Sequence, residues 1–335
     1  MAVTGEGVEK LEDMIVRAAE TTATHIAAAK SAIGAVIFGQ ERVVEEALIT
    51  VLSGGHAMLV GVPGLAKTKL VEAMGIVLGL DARRIQFTPD LMPSDILGSE
   101  VLEEGQGGKR SFRFMPGPIF GQLLMADEIN RASPRTQSAL LQAMQEQHVT
   151  VAGTRHDVPK PFHVLATQNP IEQEGTYPLP EAQLDRFLMQ IDVLYPDRDA
   201  ERRIVFETTG VEEVKPKQAM SSDELVAAQR LVRRLPVGES VIDAILSLVR
   251  SARPGPDAGE IGKLIAWGPS PRASQSLMLL SRARALLDGR LAPSIDDVLA
   301  LAIPVLKHRM ALTFAARADG ETIEGVIGKL KTRIG

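Results

Sequence analysis

The chain has 335 residues, a formal net charge of −5 and a sequence pI near 5.8. That length is too great for one ordinary core and suits about two domains. The 45% hydrophobic and 24% charged composition excludes large-scale disorder, and the absence of cysteine excludes disulfides, thiolate zinc sites and a cysteine nucleophile.

No basic surplus marks a protein whose main task is gripping nucleic acid. No run of 18 apolar residues is present, so no membrane-spanning helix is expected. The opening MAVTGEGVEKLEDM has no basic segment followed by an apolar one. It is not read as a secretory signal, and a soluble cytoplasmic protein is expected.

Leu11, Met14, Ile15, Ala18 and Ala19 recur at helical spacing and predict a helix over 8–35. A second helix over 41–53 stops at Gly54-Gly55. The apolar run 57–60 leads through a Gly-rich turn into a helix over 66–78. A strand follows over 84–88, then a hairpin over 101–114 around Gly105, Gly107 and Gly108. A buried strand over 123–126 ends in Asp127-Glu128. Ser133-Pro134 supplies an N-cap and first helical position for a helix over 134–146. A second hairpin over 148–161 turns at Gly153, a strand over 162–167 ends at Gln168-Asn169-Pro170, and a last strand covers 188–193.

Beyond residue 210 strand-like runs cease. Helices are predicted over 222–235, 239–252, 271–288, 294–306 and 320–332, behind a polar linker at 209–220. The expected architecture is an α/β parallel-sheet domain with an N-terminal helix over 1–208, then an all-α domain over 209–335.

Residues 61–68 read G-V-P-G-L-A-K-T, one position away from the phosphate loop G-x-x-x-x-G-K-[ST]. Backbone N–H groups of such a loop turn toward phosphates, Lys67 reaches the β- and γ-phosphates, and Thr68 offers its hydroxyl to Mg²⁺. The loop residues Val62, Pro63, Gly64, Leu65, Ala66 and Lys69 complete the cradle. Ala66 stands where the strict pattern has Gly, a mild change if its φ stays negative. Taken alone, the run is also a plain Gly-rich turn before a helix.

The strand ending in Asp127-Glu128 delivers two carboxylates 60 residues after Lys67. A βαβ layout sets parallel strand ends side by side, so Asp127 would hold the metal and Glu128 would polarise an attacking water. Asn169, ending the next strand, orients that water or serves as a turn residue before Pro170. Arg186, in E-A-Q-L-D-R-F, is either a surface charge or an arginine finger for a neighbouring subunit. Arg272, in G-P-S-P-R-A, is either an ordinary first-turn arginine or a γ-phosphate contact from above.

Together these segments resemble the AAA+ ATPases and, within them, the MoxR family. The carrying residues are Gly39-Gln40, G-V-P-G-L-A-K-T at 61–68, A-D-E-I-N-R-A at 126–132 and A-T-Q-N-P at 166–170. P-L-P-E-A-Q-L-D-R-F at 178–187 and S-P-R-A at 271–274 extend the likeness over about residues 36–310. The resemblance implies a P-loop αβα core with a small helical lid. It makes Lys67, Thr68, Asp127, Glu128 and Asn169 the Walker A, Walker B and sensor 1 residues, and Arg272 sensor 2. Arg186 matches the finger region, with Arg131 and Arg135 as rivals. Ile37 and Gly39-Gln40 match the stretch that flanks adenine.

It further implies a ring, commonly hexameric, that uses ATP and Mg²⁺ to mature or activate a protein partner. Such partners often carry a von Willebrand factor A domain, or receive a metal cofactor. The hairpins at 101–114 and 148–161 correspond to inserts that face the pore or decorate an edge. The alternative is a motor on nucleic acid, against which stand the acidic pI and the 4% aromatic content. His148, His156 and His163 are not aligned for metal binding.

Overall fold

The computed structural model describes residues 5–104, 110–172, 175–210 and 214–334, with side chains from residue 16 onward except at 256–258. The glycines expected at the first hairpin's turn, the side chains of Leu11, Met14 and Ile15, and residues 211–213 of the 209–220 linker lie outside the described residues.

Two helices, α1 (Gly5–Gly34) and α2 (Glu41–Leu52), lead to β1 (Ala57–Val60), α3 (Lys67–Val77) and β2 (Ala82–Gln86). Next come α4 (Pro93–Leu97), β3 (Gly98–Glu104), β4 (Arg110–Pro116), β5 (Leu123–Asp127) and α5 (Pro134–Glu146). The hairpin β6 (His148–Val151) and β7 (Thr154–Asp157) precedes β8 (His163–Gln168), α6 (Glu181–Leu184), β9 (Met189–Asp192) and α7 (Arg198–Thr208). The rest is α8 (Ser222–Arg234), α9 (Glu239–Ser251), β10 (Ile265–Trp267), α10 (Pro271–Leu287), α11 (Ile295–Leu306), β11 (Ala311–Leu312), α12 (Phe314–Ala318) and α13 (Ile323–Lys331).

Five strands form one parallel sheet in the order β2-β5-β8-β1-β9. Both faces are covered, and the alternation along each strand sorts the residues. Leu123, Met125, Leu165, Leu59 and Ile191 face one apolar cluster, with α1, α2, α3 and the C-terminal helices. Leu124, Ala126, Val164, Ala166 and Met58 face the other, with α5 and Ile119. Burying one such side chain is worth about 1.5–3 kcal/mol, and a one-residue slip would turn every one of them to the wrong face. Burial on both faces is what gives β5 and β8 their continuous apolar runs.

Helix starts follow local chemistry. Ser133 caps α5 by accepting from the Thr136 N–H, with Pro134 in the first helical position. Ser221 and Glu224 form a capping box on α8.

Three expectations need correction. The strand expected over 84–88 is β2, shifted toward the N-terminus, because the chain leaves the sheet edge after its Phe87 N–H bonds the Asp127 carbonyl. The short helices α4 and α6 and the polar helix α7 were not anticipated. The C-terminal part is not wholly helical: β10 and β11 pair antiparallel within it. Two or three residues per strand are too few to show a period in sequence.

Candidate active site

The register sets the site. Val60 pairs with Gln168, Ala126 with Ala166, and Gln86 with Asp127. The C-terminal ends of β1, β2, β5 and β8 therefore lie along one edge of the sheet, where open α/β sheets bind their ligands. A cavity of about 390 Å³ opens there. Residues 63–69 line one side, and Asp127, Glu128, Thr167 and Asn169 line the other.

The loop after β1 is shaped by contact and by backbone. A Cβ on Gly61 would lie 2.5 Å from the Val193 carbonyl oxygen, so that position admits no side chain. Gly64 turns with φ +85°. Ala66 also lies in the left-handed region, at φ 57°, so the condition under which alanine would be a mild change is not met. It is the residue before the first turn of α3, and its Cβ makes that geometry costly where glycine would adopt it freely. Lys67 Nζ donates to the carbonyls of Gly61 at 2.5 Å and Val62 at 2.8 Å. Burial pulls the Lys67 ammonium below its usual range, opposed by the nearby charges of Asp127 and Glu128.

Asp127 is buried and fully engaged. Its Oδ1 accepts from the Thr167 hydroxyl at 2.6 Å, and its Oδ2 accepts from Arg84 Nη2 at 2.6 Å. Glu128 sits at φ 54°, a strained conformation for a non-glycine residue. Its N–H donates to Thr167 Oγ1 at 2.8 Å. Its carboxylate accepts from Gln86 Nε2 at 2.7 Å and from Arg131 Nη1 at 3.1 Å. Asn169 Nδ2 reaches Glu172 Oε2 at 3.4 Å, while its Oδ1 accepts from the Ile171 N–H.

Thr68 and Asp127 offer one hydroxyl and one carboxylate on the same cavity. That donor set suits Mg²⁺, which keeps several waters and takes further oxygens from phosphates. Among the described residues no cluster of three His, Asp or Glu side chains forms a separate metal site. His156 stacks on Phe114 with ring centroids 3.9 Å apart, and His163 is buried against the Gly55 carbonyl and Gln229.

The remaining expected residues lie elsewhere. Ile37 and Gln40 are buried, Gln40 donates to the Leu194 carbonyl, and Gly39 lies against Pro196 and Ala200. Neither these three nor Val62 lines the phosphate-loop cavity. Arg186 and Arg272 share a second cavity of about 210 Å³, with His56, Asp185 and Ser276 in its wall. Arg272 is not among the residues that line the phosphate-loop cavity of its own chain. Arg135 is exposed on the first turn of α5, and Arg131 is committed to Glu128.

Sequence reasoning missed Thr167, Arg84 and Gln86. Thr167 lay inside the A-T-Q-N-P run, one strand residue short of the turn that drew attention. Arg84 and Gln86 alternate with partly buried positions on β2, but nothing local identified their partners.

Fold and site together define a P-loop ATPase of the AAA+ class, with a mainly helical lid. The family profile for ATPases associated with various cellular activities matches residues 56–189, and that for the AAA lid domain matches residues 260–329. Chaperone MoxR1 of Mycobacterium tuberculosis is 42% identical over 297 residues, spanning 88% of this chain and 78% of the relative. Protein MoxR of Paracoccus denitrificans is 32% identical, spanning 88% and 91% of the two chains. A crystal structure from Cytophaga hutchinsonii, described as that of a candidate ATPase, superposes with a TM-score of 0.88 at 34% identity, covering 99% of both chains. The chain belongs to the MoxR family of AAA+ ATPases. No helix among its described residues is long and apolar enough to cross a membrane.

Proposed function

We propose that this protein hydrolyses Mg²⁺-bound ATP between the subunits of a ring, commonly a hexamer, and uses the cycle to remodel or activate a protein client in the cytoplasm. The observation that carries the reading is the division of the charged residues between two cavities. Lys67, Thr68, Asp127 and Glu128 line one, while Arg186 and Arg272 line the other. A single chain thus holds the phosphate cradle and the base without the arginines that neutralise transition-state charge. A ring, in which the second cavity of one subunit meets the first cavity of the next, completes the set.

In this reading the N-terminus of α3 and Lys67 bind the phosphates. Thr68 and Asp127 hold Mg²⁺, which when bound neutralises charge on the β- and γ-phosphates. Glu128 accepts the proton of the attacking water, and Asn169 orients that water. Engaging the water requires the Glu128 carboxylate to leave Gln86 and Arg131. Arg186 and Arg272 stabilise the γ-phosphoryl group of the neighbouring subunit. Gly39 and Gln40, packed beside 194–200, and the buried Ile37 flank the adenine side.

The two-domain division, 1–208 and 209–335, is supported by α7 ending at Thr208 and by the separate matches of the core and lid profiles. A protein client is supported by the chaperone name of the mycobacterial relative and by exposed apolar side chains on the strands of the first hairpin, where Phe112, paired with Leu102, is 70% exposed. Partners with a von Willebrand factor A domain, or an enzyme awaiting its metal cofactor, are the client classes the family likeness suggests. The named relatives lend no support to a motor on nucleic acid.

The test is Glu128→Gln. It should bind ATP as the unsubstituted chain does while turnover falls about 10²- to 10⁴-fold. Turnover at the unsubstituted rate would remove Glu128 from the base role, and turnover undiminished by chelation of Mg²⁺ would remove the metal.

A further inference from the structure

One strongly polar cluster lies outside the phosphate-loop cavity and is unused by the chemistry above. Arg309 is 2% exposed, yet carries a guanidinium. Its Nε donates to Asp185 Oδ1 at 2.7 Å. Its Nη1 donates to the carbonyls of Leu188 at 3.0 Å and Val305 at 2.7 Å. Its Nη2 donates to the Phe187 carbonyl at 2.6 Å and to Ser276 Oγ at 3.2 Å. The other oxygen of Asp185 accepts from the Ser270 hydroxyl at 2.8 Å. Ser270 in turn caps α10 by accepting from the Arg272 N–H at 3.1 Å.

The connectivity is specific. Asp185 immediately precedes Arg186, and Ser270 caps the helix whose first turn carries Arg272. One carboxylate is thereby bonded to the helix cap below one arginine and adjoins the other in the chain. Arg309 locks that carboxylate to the 185–188 backbone on one side and to α10 and α11 on the other. Apolar packing would hold these parts together equally well, since a buried ion pair seldom stabilises more than a well-packed apolar group. A planar guanidinium fork adds fixed angles, which packing does not.

We infer that Asp185, Arg309 and Ser270 form a positioning clamp that holds Arg186, on the core, and Arg272, on the lid, in one fixed arrangement, so that both arginines are presented together to the neighbouring subunit's nucleotide. The inference rests on the reading that these arginines act across a subunit boundary, and the experiment separates the two.

The probe is ATP turnover in mixed assemblies. Arg186→Ala keeps its own phosphate loop and Glu128, whereas Glu128→Gln keeps its arginines. An equimolar mixture of these two inactive chains should recover about a quarter of normal turnover, because half the sites are competent and half of those have a competent neighbour. No recovery would overturn the cross-subunit reading itself.

With that reading intact, Asp185→Asn alone should lower kcat about tenfold or more while KM for ATP changes less than about twofold. Mixing it with Glu128→Gln should restore turnover as Arg186→Ala does. A merely structural defect would damage its own site and would not be rescued. Normal kcat in Asp185→Asn, or failure of the mixture to rescue it, overturns the clamp. If Asp185→Asn does not fold, Ser270→Ala severs the Asp185 bond to the α10 cap while leaving Arg309 bonded to Asp185 and Ser276. It should lower kcat at unchanged KM, with Ser270→Thr restoring it, and an unchanged kcat in Ser270→Ala overturns the clamp equally.

Discussion

Thr167 donates from its hydroxyl to Asp127 Oδ1 at 2.6 Å, and the Thr167 hydroxyl oxygen accepts the backbone N–H of Glu128 at 2.8 Å. One hydroxyl on β8 thus fixes both acidic residues at the end of β5. It also partners the N–H of a residue held in left-handed backbone, which an extended strand could not present in that direction. Thr167→Val keeps the shape and removes the oxygen. The Glu128 N–H then loses its partner in a half-buried setting, at a cost of about 1–3 kcal/mol. Urea denaturation should read that loss, and ATP turnover should fall with it because Glu128 is no longer held in place.

Ala66 gives a second prediction. At φ 57° a Cβ is strained and a β-branched side chain more so. Ala66→Val should lose about 1–2 kcal/mol and bind nucleotide more weakly, since the loop can relieve the strain only by abandoning its shape. Ala66→Gly should hold stability within about 1 kcal/mol, as relief of strain offsets the added freedom of the unfolded chain. Thermal melts with and without nucleotide separate the two effects.

Acid should destabilise the fold through buried histidines. Burial lowers the pKa of His56 to about 3 and of His163 to about 4, and lowers that of His308 well below its usual value. These groups are neutral in the folded chain and take up protons in the unfolded one below about pH 6.5. The unfolded state then binds more protons, so stability is complete above pH 6.5 and falls as the pH drops toward 4. Each histidine contributes up to about 1.4 kcal/mol per pH unit across that window. Glu46 opposes this, since burial raises its pKa to about 7 and its contribution grows as pH falls from 7 to 4.5. Three histidines outweigh one glutamate, so denaturation at pH 6.5, 5.5 and 4.5 should show a steady net loss. A flat profile would mean that the histidines are not buried as described.

Phe112 tests the client-facing role of the first hairpin. It is largely exposed, so Phe112→Ser should change stability by no more than about 0.5 kcal/mol and leave basal ATP turnover unchanged. Client capture by a Glu128→Gln assembly should drop when Phe112→Ser is added. Undiminished capture would return the hairpin to edge decoration.

Features contained in a short stretch of chain were legible without a structure. The phosphate loop needs eight consecutive residues, the acidic pair ends one apolar run, and Ser133-Pro134 announces α5. Likewise β1, β5 and α5 appear within a residue of their expected limits, because periodicity and caps are local signals. The sheet edge β2 was displaced, because its burial alternates and its ends depend on pairing with β5. The short strands β10 and β11 were missed, since each is defined only by the other.

The sequence by itself determined that a phosphate-binding loop and a carboxylate pair exist, and that they belong to a P-loop ATPase, since residue type and near spacing are enough to specify that chemistry. Only the tertiary structure decided what each of those groups touches. The strand order β2-β5-β8-β1-β9 does not follow the chain, so Arg84 meets Asp127 and Gln86 meets Glu128 across a strand boundary that no local pattern encodes. It also separated Arg186 and Arg272 from Lys67, and joined Asp185 to Arg309 across 124 positions. Side-chain direction at those distances is set by packing and register, which come into being only when the chain has folded.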